Sequence, residues 1–363
     1  MMIILIFFFS LISWFFILKT IPYFWKKISL FLIFFLFFLI FDYIGFIFLI
    51  YNDFETLTYT NLIFEKSYFY KSFYISTSVM WLLVLVYALL FKNKSISKPN
   101  KYIFNYDYRT LQRKNILLFS ICFLVFLLYL SVVGFNNLPL VLAFNNSIIT
   151  ELAVARENAG NLVENYHRYK LFFRDLLGVV CVVSFYLYVN TKTYLSRLVF
   201  FCSIIFLIFT SLMIGEKGTI INVVLLIFIV GIFVTNNGFI NYVKAFKFLL
   251  ISFVLIVVNY SIFMPSSNIL LLTQGILERL FLGQIVGQTY YLEMFPKHHE
   301  FLNGLSLPNP GGIFDFDPVN LTVLVMDFSR YNLVGESLGI TGTMPMFYWG
   351  ELYANFDYIG IFI

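Results

Sequence analysis

Residues 198–235 read LVFFCSIIFLIFTSLMIGEKGTIINVVLLIFIVGIFVT, two apolar runs joined by the short turn Gly215-Glu216-Lys217-Gly218. Each run approaches the ~20 residues that a helix needs to cross the ~30 Å hydrocarbon core of a bilayer. Charged side chains occur only in the turn. In lipid a helix satisfies every backbone polar group within its own segment. This stretch therefore predicts a hairpin of two membrane-spanning helices.

The rest of the chain repeats this pattern. Apolar residues make up 61% of it and charged residues only 12%, against about 25% charged residues in soluble globular domains. This composition excludes a water-soluble globule and predicts an all-α polytopic integral membrane protein with about nine transmembrane helices. The predicted spans are 1–18, 28–51, 73–91, 116–134, 171–189, 198–214, 219–235, 248–264 and a last one that begins near residue 346.

The basic residues predict the orientation. Residues 92–115 carry seven Lys and Arg side chains against the single acid Asp107, whereas residues 52–72 carry two lysines and three acids. Short cytoplasmic loops are enriched in Lys and Arg. We therefore expect the N-terminus and the loops 135–170 and 265–351 on the extracytoplasmic side of a bacterial cytoplasmic (inner) membrane. The net charge of +5 needs no nucleic-acid partner, because its placement follows this rule.

The chain reads as a single membrane domain, 1–363, with a smaller outside loop at 135–170 and a large one at 265–351. Within the large loop, residues 276–295 have helical character, and we expect a helix at the membrane interface there. The last apolar stretch stops without a flanking polar cap, so we expect that the natural chain is truncated at its C-terminus. The three cysteines lie inside apolar runs and predict neither a disulfide nor a metal site.

The turn at residues 215–218 is the first candidate for chemistry. Ionisable groups inside a membrane hairpin are costly and suggest a functional site. The glycines allow backbone N–H groups to approach an anion. The alternative is a plain turn with a Glu–Lys pair. The glycine spacing does not match a nucleotide-binding P-loop, and we expect no cofactor.

Cations in the 135–170 loop form a second candidate group. Arg156, Arg168 and Lys170, with Arg174 at the start of the next span, lie near one interface. Guanidinium groups suit the recognition of a lipid-linked phosphate. For Arg168, Lys170 and Arg174 the favoured interpretation is instead snorkelling beside nearby carboxylates.

The large loop adds possible bases and two more arginines. Histidine and carboxylate groups are the usual general bases for a hydroxyl, and adjacent histidines do not have the i,i+4 spacing of a helical metal site. The alternative for the histidine pair is an ordinary polar loop. Two acidic triplets, residues 53–55 and 315–317, resemble metal-binding D-x-D elements, but such triplets are common by chance. The candidates in this loop are Arg279, His298, His299, Arg330 and Glu336.

Residues 339–360 read GITGTMPMFYWGELYANFDYIG. This text resembles the end of the large outside loop in bacterial oligosaccharide repeat-unit polymerases, the Wzy-type O-antigen and capsule polymerases. Members of that family often have a Pro, then Gly-Glu-x-Tyr, then Asn-Phe-Gly-x-x-Gly. Asp357 stands where that first glycine is usual, which puts close packing there in doubt. The turn at residues 215–218 resembles the family's Gly-x-Arg/Lys-Gly hairpin turn, and Arg156 and Arg279 match its arginine-bearing loops.

The resemblance implies an enzyme that transfers a growing glycan from polyprenyl diphosphate to an incoming lipid-linked repeat unit on the outer face. The donor's diphosphate bond supplies the energy, so no cofactor is expected. The implied partners are the polyprenyl-diphosphate-linked oligosaccharide, membrane lipids, and a chain-length regulator and flippase of the same pathway. The implied diphosphate ligands are Arg156, Lys217 and Arg279, the implied bases His298, His299 or Glu336, and the implied substrate-binding residues Arg168, Arg330, Glu351 and Tyr353.

Other functions remain open at this point. An O-antigen ligase would use the same donor with a lipid A-core acceptor. A flippase or transporter would predict internal symmetry and charges in mid-span, whereas only Asp42 sits well inside a span. A metal-dependent glycosyltransferase would use Asp53 and Glu55 as ligands of a divalent metal ion. The last alternative is a structural or sensory membrane protein.

Overall fold

The structure is a computed structural model that describes residues 2–54, 64–92, 107–144, 166–214, 218–263, 269–309, 313, 315–330 and 343–362. Within these residues every regular element is helical, apart from an isolated bridge between Lys27 and Phe239. The helices are α1 Met2–Lys19, α2 Leu30–Phe38, α3 Ile44–Tyr51, α4 Lys66–Phe91, α5 Tyr108–Val133, α6 Pro139–Phe144, α7 Tyr166–Lys170, α8 Leu177–Thr191, α9 Tyr194–Ile214, α10 Gly218–Asn236, α11 Tyr242–Phe263, α12 Ile269–Met294, α13 Leu321–Arg330 and α14 Tyr348–Ile361.

Two π-helical segments interrupt this pattern. Leu39–Tyr43 connects α2 to α3, and Leu171–Leu176 connects α7 to α8. Each π segment carries ionisable side chains, Asp42 in the first and Arg174 with Asp175 in the second. Single π turns are rare and frequently occur at functional sites.

Seven helices in the described part of the chain are long and apolar enough to cross a membrane, and they coincide with the first seven predicted spans. The all-α polytopic class is therefore confirmed. α11 covers the predicted span 248–264 but is not among the seven. α14 does not form the continuous span expected from residue 346, because Phe356 and Asp357 have non-helical backbone angles. The number of nine spans stays a prediction.

The chain divides into two compact units. The first contains residues 1–25, 29–96 and 273–363, and therefore α1–α4, most of α12, α13 and α14. Its core is aromatic: Trp14 is completely buried and packs against the rings of Phe38 and Tyr43. Such flat side chains bury large areas between helices.

Helix α12 lies inside the first unit. Its residues from Leu282 to Phe295 are nearly all buried, so the expectation of a surface helix at the membrane interface is wrong. Side chains added at Gly45 of α3 and at Gly287 of α12 would collide with the carbonyl oxygens of Phe281 and Pro345. Small residues permit this close approach of backbones. The assignment of the whole 265–351 region to the outside stays a prediction.

The second unit contains residues 26–28 and 97–272, and so α5–α11. Its core includes Phe126, Phe173 and Cys181, and α8 packs against α5, α9 and α10. A side chain added at Gly178 of α8 would lie 3.1 Å from Val223 of α10, so this glycine allows the two helices to pack closely.

One ion pair joins two predicted loops within the first unit. Lys297 Nζ lies 3.0 Å from Glu65 Oε1, and both residues belong to loops predicted to be outside. The orientation of the chain in the membrane stays a prediction.

Candidate functional site

The π segment Leu171–Leu176 presents a charged pair at the start of a membrane-spanning helix. Arg174 Nε donates to Asp175 Oδ1 at 2.7 Å, and both side chains are partly exposed. A π turn widens the helix and changes the direction of its side chains relative to a regular α-helix. The pair therefore sits at a local irregularity in an apolar span.

A cavity of about 600 Å³ opens beside this pair, between α8 and α10. Its volume is within the ~300–1,000 Å³ range of ligand pockets. One wall is the first turn of α10, which begins at Gly218, and the helix dipole places partial positive charge at that end. The lining residues are Arg174, Asp175, Gly178, Val179, Val182, Val183, Gly218, Thr219, Asn222, Val223 and Leu226.

This cavity borders the turn that the sequence marks as a candidate. Gly218 is the last residue of that turn and lines the cavity, while Gly215, Glu216 and Lys217 lie outside the described residues. The site therefore combines the Arg174–Asp175 pair with the positive end of α10, in a groove whose other lining residues are mostly apolar. An anionic head group with an apolar tail is the kind of molecule that suits such a lining.

The predicted cations are distributed differently from the expectation. Arg168 is exposed on α7 and does not line the cavity, whereas Arg174, for which snorkelling was favoured, does. Arg279 is exposed on α12 in the first unit, and Arg330 ends α13 there. Arg156 and Glu336, like Lys217, lie outside the described residues. The convergence of Arg156, Lys217 and Arg279 on one diphosphate stays a prediction.

The C-terminal motif fastens α14 to the segment that follows α12. Asn355 is fully buried, and its Oδ1 accepts from the Gly304 N–H at 2.9 Å while its Nδ2 donates to Ser306 Oγ at 2.7 Å. Ser306 Oγ also donates to Glu351 Oε1 at 3.2 Å. Glu351, predicted to bind substrate, thus contacts the loop.

Tyr353 and the two histidines meet at the end of α12. The buried Tyr353 hydroxyl donates to the Phe295 carbonyl at 2.9 Å. The backbone N–H groups of His298 and His299 both donate to the Met294 carbonyl, which completes the last turn of the helix. His299 Nδ1 lies 2.7 Å from a backbone carbonyl oxygen, and the exposed His298 packs its ring on an aromatic neighbour. The motif therefore holds the histidine pair near α14.

Ionisable groups that the sequence did not single out surround this helix end. A hydrogen bond from Lys297 lowers the pKa of the exposed Glu65 carboxyl, and the same contact raises the pKa of Lys297. Burial raises the pKa of the Glu293 carboxyl, and the charge of Glu65 adds to this shift. Perturbed carboxyl groups of this kind occur often at functional sites. No sequence motif marks Glu293.

The backbone reverses direction inside α14. Asp357 has φ +57° and ψ −159°, a region that is essentially restricted to glycine. After this turn the chain returns so closely that a side chain at Gly360 would collide with the Leu352 carbonyl. The resemblance motif has glycine at both positions. The close packing that the motif implies therefore occurs at Gly360, whereas Asp357 adopts a strained backbone conformation.

A buried polar network connects the helices of the first unit. Asp42 is fully buried in the π segment, and Gln288 Nε2 donates to its Oδ1 at 2.6 Å. Ser72 Oγ donates in turn to Gln288 Oε1 at 3.0 Å. Buried polar groups require such partners, since an unmade hydrogen bond costs about 1–3 kcal/mol. The network therefore fixes α12 relative to α4 and to the π segment.

Comparison of the chain with protein-family models, with curated proteins and with solved structures finds no match. The likeness to the repeat-unit polymerases therefore depends on the motifs quoted from the sequence.

Proposed function

We propose that this protein is a polymerase of lipid-linked oligosaccharide repeat units in a bacterial cytoplasmic membrane. It transfers the growing glycan from polyprenyl diphosphate to an incoming lipid-linked repeat unit on the outer face. The observation that carries this function is the cavity of about 600 Å³ that Gly218 lines, together with the Arg174–Asp175 pair and apolar side chains of two spans. The Arg174 guanidinium and the start of α10 suit a diphosphate, and the apolar side chains suit its polyprenyl chain.

The reaction is a substitution at the anomeric carbon of the donor glycan. The acceptor sugar's hydroxyl oxygen forms the new glycosidic bond as the bond from that carbon to the diphosphate oxygen breaks. The diphosphate leaves with the electron pair, still attached to its polyprenyl chain, and the acceptor proton passes to a base. No nucleotide is consumed, because the bond that breaks supplies the free energy.

Cations assist by stabilising the charge that develops on the leaving diphosphate. Prearranged charges in a poorly hydrated site lower such a barrier by several kcal/mol. Arg174 and the dipole of α10 contribute this stabilisation, with Lys217 on the adjoining turn. Arg156 and Arg279 stay diphosphate ligands that the resemblance implies.

The base is drawn from the groups at the end of α12 and the loop beyond it. His298, His299 and Glu336 are the bases implied by the resemblance, and Glu293 joins them because its buried carboxyl has a raised pKa. Glu351 and Tyr353 act by holding the segment that carries the histidines, as their hydrogen bonds to Ser306 and Phe295 support.

Deletion of the gene followed by gel separation of surface polysaccharide tests the function. We expect the deletion strain to lose the ladder of long chains and to retain product with a single repeat unit. Complementation with Lys217→Ala or Arg174→Ala should leave that defect, at normal membrane levels of the protein. Arg197→Ala is the matched control, because Arg197 is an exposed arginine outside the cavity, and it should restore the ladder.

Two results would refute the polymerase. One is a ladder of normal length from both cavity variants. The other is a deletion strain that attaches no repeat unit to lipid A-core, which is the result expected of an O-antigen ligase.

A further inference from the structure

A second cavity, of about 230 Å³, lies in the first unit beside the end of α12. It is separate from the cavity between α8 and α10 and shares no residue with it. Three elements contribute to its walls: the first turns of α4, the segment after α12, and the reversed end of α14. The lining residues are Tyr68, Lys71, Leu292, Phe295, Pro296, Lys297, Phe301, Tyr353, Asp357 and Tyr358.

The walls combine aromatic faces with a few polar groups. Three of the aromatic members are in mutual contact, since the ring of Tyr353 lies 5.6 Å from that of Phe301 and 5.3 Å from that of Tyr358. Lys71 Nζ lies 4.8 Å above the ring of Tyr68. With the Asp357 carboxylate, this lining offers donors and acceptors around an aromatic interior.

This combination selects among classes of ligand. The volume is below the ~300–1,000 Å³ of pockets for drug-sized molecules, so the occupant is a single small ring. A sugar ring has a C–H face, which packs on the negative face of an aromatic ring, and a rim of hydroxyls that need both donors and acceptors. A fully apolar ligand would make no use of the Asp357 carboxylate, and a bare phosphate would gain nothing from the aromatic faces.

Backbone strain gives an independent reason to assign a role to Asp357. A non-glycine residue in its conformation costs about 1–3 kcal/mol, and such outliers cluster at ligand sites. A glycine would avoid this cost but would remove the carboxylate from the cavity wall. The strained conformation of Asp357 is therefore explained if its carboxylate binds a ligand in this cavity.

We propose that this cavity binds one sugar ring, with Asp357 accepting hydrogen bonds from its hydroxyls and Tyr358 supplying an aromatic face. The inference rests on the proposed function in one respect: the bound ring is that of the acceptor repeat unit. The cavity lies among residues 68–71 and 295–301, which belong to loops or helix ends predicted to be outside. An acceptor sugar on the outer face would approach from that side.

Binding is tested directly on the full chain, purified and reconstituted in lipid nanodiscs. Saturation-transfer NMR is recorded with three probes: the methyl glycosides of a hexose, an N-acetylhexosamine and a hexuronic acid. We expect transfer to at least one of them. Asp357→Gly should weaken that binding about tenfold, because a hydrogen bond to a charged group is lost while the backbone strain is relieved.

Two further variants complete the test. Tyr358→Ala should also reduce transfer, whereas Tyr74→Ala should not, because Tyr74 is an exposed tyrosine of α4 outside the cavity. Absence of transfer to all three glycosides would overturn the sugar site. So would equal transfer by the parent protein and by Asp357→Gly. A protein that binds a glycoside yet fails the polysaccharide gel would retain the sugar site and lose the polymerase function.

Discussion

Replacing Asp357 by glycine should stabilise the protein, although glycine usually destabilises. The residue adopts φ +57° and ψ −159° where the chain reverses inside α14. A residue with a Cβ pays about 1–3 kcal/mol for that conformation, whereas glycine adopts it freely. Glycine also has greater backbone freedom in the unfolded chain. This freedom lowers the free energy of unfolding by roughly 0.5–1 kcal/mol relative to alanine.

The matched comparison is Asp357→Gly with Asp357→Ala. Both variants remove the carboxylate and any contact it makes, so they differ only in the Cβ and in backbone freedom. Subtracting this cost from the gain leaves the glycine variant more stable than the alanine variant by about 1 kcal/mol, and by about 2.5 kcal/mol at most. In a chain of this size each kcal/mol corresponds to roughly 2 °C in the midpoint of thermal unfolding.

The assay is thermal unfolding in detergent, followed by tryptophan fluorescence. Trp349 lies in the same helix as the turn and is fully buried, and it contributes to this signal together with the other three tryptophans, all of which lie in residues assigned to the first unit. We expect a higher midpoint for the glycine variant than for the alanine variant. Equal midpoints, or a more stable alanine variant, would refute the strain at residue 357.

Three further variants test the contacts that organise the first unit. Asn355→Ala should lower the free energy of unfolding by roughly 2–3 kcal/mol, because the Gly304 N–H loses its acceptor, and Asn355→Asp should fall in between because it keeps that acceptor. Asp42→Ala should cost about 1–3 kcal/mol by leaving the Gln288 amide without a partner, while Asp42→Asn should cost less. Gly360→Ala should lower the unfolding midpoint and the yield of folded protein, since its methyl group meets a backbone carbonyl, whereas the control Gly218→Ala has open space. Chemical unfolding curves check the first two variants, and size-exclusion chromatography checks the third; unchanged values would count against the contact concerned.

The C-terminal motif shows how far a short sequence similarity can guide a structural interpretation. Glu351, Tyr353 and Asn355 are spaced so that all of them contact the segment after α12. The sequence marks two of them as substrate-binding residues, whereas their described partners are groups of the chain itself. The motif thus identifies residues that hold α14 against the segment after α12. Nothing in its sequence indicates the adjoining cavity.

The interpretation of Arg168 and Arg174 illustrates what sequence spacing leaves undecided. The sequence places both near the same interface and favours snorkelling for both, although the resemblance also implies that Arg168 binds substrate. Of the two, only Arg174 lines the cavity beside the start of α10, and it lies within the π segment. Which of two neighbouring arginines lines a site depends on the local helix geometry and on a partner helix, and neither is encoded in the spacing.

The sequence by itself determined the seven apolar helices and the all-α class, because the length and polarity of a segment decide whether it can satisfy its backbone in lipid. Only the tertiary structure decided that α12 is buried and that the chain reverses at Asp357. Burial of α12 depends on partners far away in the chain, as with Asp42 and Gln288, which are 246 residues apart. Within the first unit, Gln288 donates to Asp42, and Gly287 lets α12 approach the Pro345 carbonyl closely.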